Sequence, residues 1–149
     1  MAEYLENSVQ NVALNQPAIF TASIPCPKGN VIHEDGTGIF ILRGNTSNCF
    51  ARYKVTYGGN IALPEGGTPG QIAVALTVNG EVRPTSRAIV TPAAVEEYFS
   101  VSRSAEITVP RGCCFTVSLR HVQATDDPTV TPAPVITLQN ASLTVTRTA

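Results

Sequence analysis

The sequence predicts an all-β fold, a ten-strand β-sandwich of the jelly-roll kind, and three observations predict it. Apolar residues recur at every second position rather than at helical spacing. In 50–57, Ala51, Tyr53, Val55 and Tyr57 alternate with Arg52, Lys54 and Thr56, the pattern of a strand with one buried and one wetter face. Valine and threonine abound, as strands prefer. Turn residues punctuate the chain at short intervals, and no long helical segment intervenes.

Taken in order, the strands are expected at 9–15, 18–24, 30–34, 38–43, 49–57, 71–79, 81–90, 98–109, 113–122 and 135–147, the last broken near Gln139-Asn140. Residues 1–8 precede the first strand as an N-terminal arm of a single 149-residue domain. Asn79-Gly80 lies between Leu76-Thr77-Val78 and Glu81-Val82. It is a strong hairpin signal, because a type I′ turn needs positive φ at both central residues. Gly58-Gly59, Gly36-Thr37-Gly38 and Arg111-Gly112 mark further turns. Prolines fall mainly between the runs, where they cost no ladder hydrogen bond. The stretch 91–99, with Thr91 as N-cap and Pro92 at the first helical position, predicts one helical turn. Segments 63–70 and 124–134 read as surface loops.

Composition narrows the function. The chain is 43% hydrophobic and 14% charged, with net charge −1, against roughly 25% charged in an average soluble domain. Few, scattered basic residues argue against nucleic acid as a partner. A weakly charged surface points to coverage by another subunit. No apolar run approaches the roughly 18 residues of a membrane span, and the first twenty residues carry no signal-peptide pattern. Folding in a cytoplasm is the expectation. There the triplets at Asn45 and Asn140 are accidental matches to the glycosylation pattern.

Candidate chemistry is sparse. Adjacent Cys113 and Cys114 point to opposite faces of a strand. Their Cα atoms, about 3.8 Å apart, are too close for an ordinary disulfide. No pair has zinc-ligand spacing, so the cysteines read as structural thiols packed as small hydrophobes. Cys26 and Cys49 are candidates for one long-range bridge or for separate thiols. His33, beside Glu34 and Asp35, reads as a strand end entering a polar turn. His121 ends the strand at 113–122 and is a strand-end or subunit-facing residue, with a pH-sensitive contact conceivable if copies meet there. Asp126-Asp127 offers two carboxylates, short of the six to eight oxygens calcium prefers. No nucleophile elbow or phosphate-binding loop occurs. Two distant histidines cannot furnish the metal site of a cupin-type enzyme. The expectation is no catalysis, no metal and no cofactor.

The motifs in series carry a resemblance. Gly38-Ile39-Phe40, the aromatics Tyr53 and Tyr57, Asn79-Gly80, and Val109-Pro110 with Gly112, Phe115 and Val117 resemble a tumour-necrosis-factor-like jelly roll. Complement-type globular heads and the heads of bacterial collagen-like spore proteins share that scheme. Over nearly its whole length the chain is similar to small collagen-free proteins of Firmicutes phages and prophages. "IHEDGTGIFILRG" (32–44), "GGNIALPEGGTPGQI" (58–72), "VTPAAVEEYFSV" (90–101), "VPRGCC" (109–114) and "QNASLTVTR" (139–147) carry this likeness. Unlike the spore-type heads, the chain has no Gly-X-Y tract.

The resemblance implies a homotrimer and a virion role on the phage head surface, as a capsid decoration or head-fibre protein whose partner is the major capsid protein. A receptor- or carbohydrate-binding module is the alternative, weakened by the absence of tryptophan. By family position Tyr53, Tyr57, Phe115 and His121 are trimer-interface candidates, although core and interface both favour apolar residues. Tyr4 and Leu5 are the bulky apolar residues of the arm and the candidates for docking on the shell.

Overall fold

A computed structural model describes residues 2–24, 31–33, 36–67, 70–125 and 133–148. The strands are β1 (Ala2–Ala13), β2 (Ala22–Ile24), β3 (Val31–Ile32), β4 (Phe40–Arg43), β5 (Phe50–Ala62), β6 (Ile72–Val78), β7 (Glu81–Val82), β8 (Ala88–Val90), β9 (Phe99–Pro110), β10 (Cys114–Val122) and β11 (Val135–Arg147). They form two antiparallel sheets. One has five strands in the order β2-β1-β11-β5-β9. The other has six, in the order β3-β4-β10-β6-β7, with β8 also on β6. The inner faces meet in one core built on Tyr4, Phe20, Phe40, Tyr53, Tyr57, Ile107 and Leu119.

The expected all-β sandwich is thus present, and the details differ in physically informative ways. The first strand begins at Ala2, not at residue 9, because Tyr4 and Val12 both pack inward while the backbone pairs with β11. Residues 17–20 make only two isolated bridges, Pro17 with Arg120 and Phe20 with Thr37. The run 81–90 divides into β7, a 3₁₀ turn at Pro84–Ser86 and β8, since Pro84 has no N–H to give a ladder. The helical turn at 91–99 does not form. Glu96 takes a left-handed φ of 58° and gives its N–H to Leu63 O at 2.8 Å, and a left-handed residue ends a right-handed helix. Among the described residues there is no α-helix.

Two turn signals have opposite outcomes. Asn79 and Gly80 take φ of 54° and 85° between paired Val78 and Glu81, the geometry expected of a type I′ turn. Gly58 and Gly59 are not a turn but lie inside β5. They face the place where β11 slips register between Gln139 and Ser142, with Asn140 at φ 54°. A Cβ on Gly59 would stand 3.1 Å from Leu138 Cδ1 and 3.4 Å from Ala141 Cα. The missing side chain makes room for a bulge. The same irregularity passes into β1 between Glu6 and Val9, where Glu6 Oε1 accepts hydrogen bonds from Ser8 N–H (3.2 Å) and Ser8 Oγ (2.7 Å). The expected break near Gln139-Asn140 is therefore a bulge in a continuous strand.

Candidate functional site: the two outer faces

Residues paired in register share a face of the sheet, so the ladders sort every strand residue into core or outer surface. Sorted this way, most of the expected interface residues lie in the core of a single chain. Tyr53 and Tyr57 are 0% and 1% exposed and His121 is 1% exposed. Phe115 is half-buried against the core. Side chains already enclosed by their own chain are not available to meet a sister copy, so the interface assignment is corrected for Tyr53, Tyr57 and His121.

Their polar atoms instead fasten one sheet to the other. Tyr53 Oη donates to Arg43 O at 2.5 Å, joining β5 to β4. Tyr57 Oη donates to Ser86 O at 2.6 Å, with Val74 O at 3.3 Å. Burial pushes both phenols above their ordinary range, Tyr57 the further. His121 Nδ1–H donates to Val12 O at 3.1 Å. Burial holds its pKa below the ordinary value, against the opposing effect of that backbone bond. An imidazole so enclosed is neutral near pH 7.

Of the two docking-arm candidates, Tyr4 is likewise a core residue. Tyr4 is fully buried in β1, its ring 4.6 Å from that of Phe40 and 4.9 Å from that of His33. Leu5 is half-buried in the same strand, opposite Ser142. His33 stacks on Phe40 at 4.2 Å and gives Nε2–H to Thr37 O at 2.9 Å. Glu34, Asp35, Asp126, Asp127 and Cys26 lie outside the described residues. Cys49, Cys113 and Cys114 are free thiols and exposed, not packed inside. The strand starts only at Cys114, so the Arg111-Gly112 turn lifts Cys113 off the core. Among the described residues no group of three or more His, Cys, Asp and Glu comes together as a metal site.

The outer faces remain. That of the five-stranded sheet is broad, because β1, β5, β9 and β11 are each 12 or 13 residues long. Its rows on β5, β9 and β11 are short and polar: Thr56, Gly58 and Asn60 on β5, Ser100, Ser102, Ser104 and Thr108 on β9, and Ser142, Thr144 and Thr146 on β11, while β1 adds half-buried Leu5 and Val9, which is 51% exposed. Its charges are of both signs, Glu3 and Glu106 against Arg52 and Lys54, with Lys54 directly opposite Glu106.

The outer face of the six-stranded sheet is different. Ile32 pairs with Ile41, and Ile39 lies on the same side. Ile32, Ile39 and Ile89 are 46–47% exposed, and Ile19 on the adjoining bridge segment is 44% exposed. Between these edges run small residues, Ala73, Ala75, Thr77 and Ser118, each no more than 2% exposed. Arg120 Nε donates to Ser118 Oγ at 3.1 Å across them. The strand positions of this face carry arginines, Arg43 and Arg120, and no carboxylate, since Glu81 pairs with core-facing Val78.

Sequence reasoning missed this aliphatic face. Its signal was present in Ile39-Phe40-Ile41-Leu42, a run apolar at consecutive positions, which is what a strand covered on both sides looks like.

No protein-family profile matches the chain, and no curated protein matches it in sequence. Solved structures do. The globular domain of zebrafish complement 1qA protein is 13% identical, with 97% of this chain and 94% of that one covered and a TM-score of 0.57. Eiger TNF from S. frugiperda is 12% identical, with 100% and 92% covered and a TM-score of 0.63. The chain therefore has the fold of the C1q/TNF-like globular heads, an all-β sandwich of two antiparallel sheets.

Proposed function

We propose that this chain is a virion structural protein, a homotrimeric capsid decoration or head-fibre protein of a phage. It is made in the bacterial cytoplasm and acts through binding geometry rather than bond-making. Sister copies meet on the outer face of the five-stranded sheet. The aliphatic face of the six-stranded sheet meets the major capsid protein.

The observation that carries this reading is the contrast in charge between the two faces. Hydroxyls both donate and accept, and the five-stranded face also holds acidic and basic residues together, so it can complement another copy of itself. The six-stranded face holds Arg43 and Arg120 on its outward rows. Two copies meeting there would set like charges together, which favours a different partner. The likeness of 32–44, 58–72, 90–101, 109–114 and 139–147 to phage and prophage proteins supports the virion setting.

Size exclusion with light scattering tests the assembly. The expected mass is three times the 15.7 kDa of the chain, and a monomer at micromolar concentration ends the proposal. Cryo-EM of phage particles carrying the protein tests the shell. Glycan-array binding together with absence from purified particles would replace this reading with a carbohydrate-binding module.

A further inference from the structure

One end of the sandwich gathers basic side chains, with Arg52 at the margin of the five-stranded outer face. The loops 44–49 and 111–113 are held together by backbone hydrogen bonds. Gly44 N–H donates to Cys113 O (2.8 Å), Gly112 N–H to Gly44 O (3.1 Å) and Arg111 N–H to Cys49 O (2.9 Å). Arg147 Nη2 ties the last strand to the first of these loops through Asn45 O at 2.7 Å. The result is a fixed platform rather than two separate loops.

An open depression of about 670 Å³ lies on it, lined by Ser47, Asn48, Cys49, Phe50, Arg52 and Arg111. Arg52 and Arg111 are both exposed, and Phe50 is 38% exposed. No carboxylate lines the depression. None occurs in the sequence from 36 to 64 or from 107 to 125, and Glu106 on β9 lies directly opposite Lys54.

The details select among anionic ligands. Arg52 Cζ sits 4.9 Å from the centroid of the Phe50 ring. That contact holds the guanidinium by a cation–π interaction and occupies one face of the only aromatic ring lining the depression. A sugar, which binds by stacking on an open aromatic face, finds one of the two faces taken. A carboxylate finds a planar fork held against Phe50 on Arg52 and a second, exposed fork on Arg111. The free edge of Phe50 and the Cys49 thiol offer an apolar floor for a neighbouring aliphatic side chain. We propose that this platform is a docking site for an acidic peptide segment of a partner protein, in which carboxylates engage Arg52 and Arg111 and an adjacent apolar side chain packs on Phe50. The inference concerns the loop end and holds whether or not the chain stands on a virion.

The full chain is titrated by fluorescence anisotropy with a fluorescein-labelled ten-residue peptide of Glu, Asp and Leu. The same peptide with Gln and Asn in place of the acids serves as control. Saturable binding of the acidic peptide alone is expected, weakened at least tenfold in the Arg52→Gln/Arg111→Gln variant and at 0.3 M salt. Arg103→Gln, on β9 away from the loops, leaves it unchanged. Amide shifts in NMR spectra confined to 44–53 and 109–114 are the expected footprint. The glutamine variants keep the wild-type melting temperature, since both side chains are exposed. The inference is overturned if the acidic peptide does not bind, if binding survives in the double variant, if the footprint lies elsewhere, or if an oligomer of glucuronic acid binds as tightly as the peptide.

Discussion

The two sheets of this sandwich share one core and present opposite exteriors. The five-stranded sheet shows water hydroxyls, an Asn and a few balanced charges. The six-stranded sheet shows isoleucines at its edges and small residues under Arg120 at its centre. Packing does not require the difference, because both inner faces are predominantly apolar. It teaches that the outward rows can differ while the core stays the same. A surface able to complement itself suits symmetric assembly. A surface of grouped aliphatics with charge of one sign suits a partner of another kind.

The largest expected effect breaks this pairing of face and role. Ser102 and Ser104 lie in the middle of the hydroxyl rows, opposite Gly58 and Thr56. Ser102→Arg/Ser104→Arg places two long cations where short side chains allow close approach. Light scattering should then show the trimer replaced by a folded monomer, with the circular dichroism spectrum retained. Ile39→Asp, on the other face, should leave the mass at the trimer value. If Ile39→Asp dissociates the assembly and the arginine variant does not, the assignment of the two faces is reversed.

A second substitution separates the flatness of the five-stranded face from its chemistry. Gly59 points inward beside the β11 bulge, against Leu138 and Ala141. Gly59→Val overfills that space, which costs about 1–3 kcal/mol, and denaturant titration should show the loss as a lower midpoint. Gly58→Ala, whose nearest neighbour would be Ser142 Oγ at 3.5 Å, should change stability far less.

These two glycines also show what the sequence made legible. The all-β class, the alternation in β5 and the Asn79-Gly80 hairpin followed from local rules that act within a few residues. Gly58-Gly59 was misread as a turn because its reason is a bulge in a strand some eighty positions away. Tyr53 and Tyr57 were assigned to the wrong surface for a related cause. Periodicity says that a side chain lies on the apolar face of its strand, and only the second sheet, through Arg43 O and Ser86 O, makes that face an interior. Tyr4 looked like part of a free arm because its partner strand, β11, is the last in the chain. The arginine platform was invisible for the same reason: Arg52 and Arg111 are distant in sequence and become neighbours only when the two loops bond.

His121 ties the two sheets together through Val12 O and makes their packing sensitive to acid. It faces the core from the six-stranded sheet, and burial lowers its folded pKa below the ordinary 6.5. The unfolded chain then binds the proton more readily than the folded one. The stabilisation is complete above pH 6.5 and is lost as pH falls from there toward the folded pKa. Melting temperatures between pH 7.5 and 5 should therefore decline in the wild type and decline less in His121→Gln, once both are referred to their values at pH 7.5. Equal slopes would show that other groups carry the acid sensitivity.

The smallest effect on stability bears most directly on the aliphatic face. Ile39 is 47% exposed and flanked by inward-facing Phe40, so removing its outward side chain deletes little core packing. Surface substitutions of this kind usually stay within about 0.5 kcal/mol, and Ile39→Ser should melt with the wild type. On the proposed assignment the trimer should persist, because its contacts are placed on the other sheet. The consequence appears only when a partner covers the patch: interface cores lose far more than exposed surface does when an apolar anchor is cut back. Mixed with particles lacking the decoration, Ile39→Ser trimers should sediment with shells to a much smaller extent than wild-type trimers. Wild-type levels of shell binding by a variant that also lacks Ile32 and Ile41 side chains would mean that the isoleucines are mere exposed sheet surface, and the contrast between the faces would lose its functional meaning.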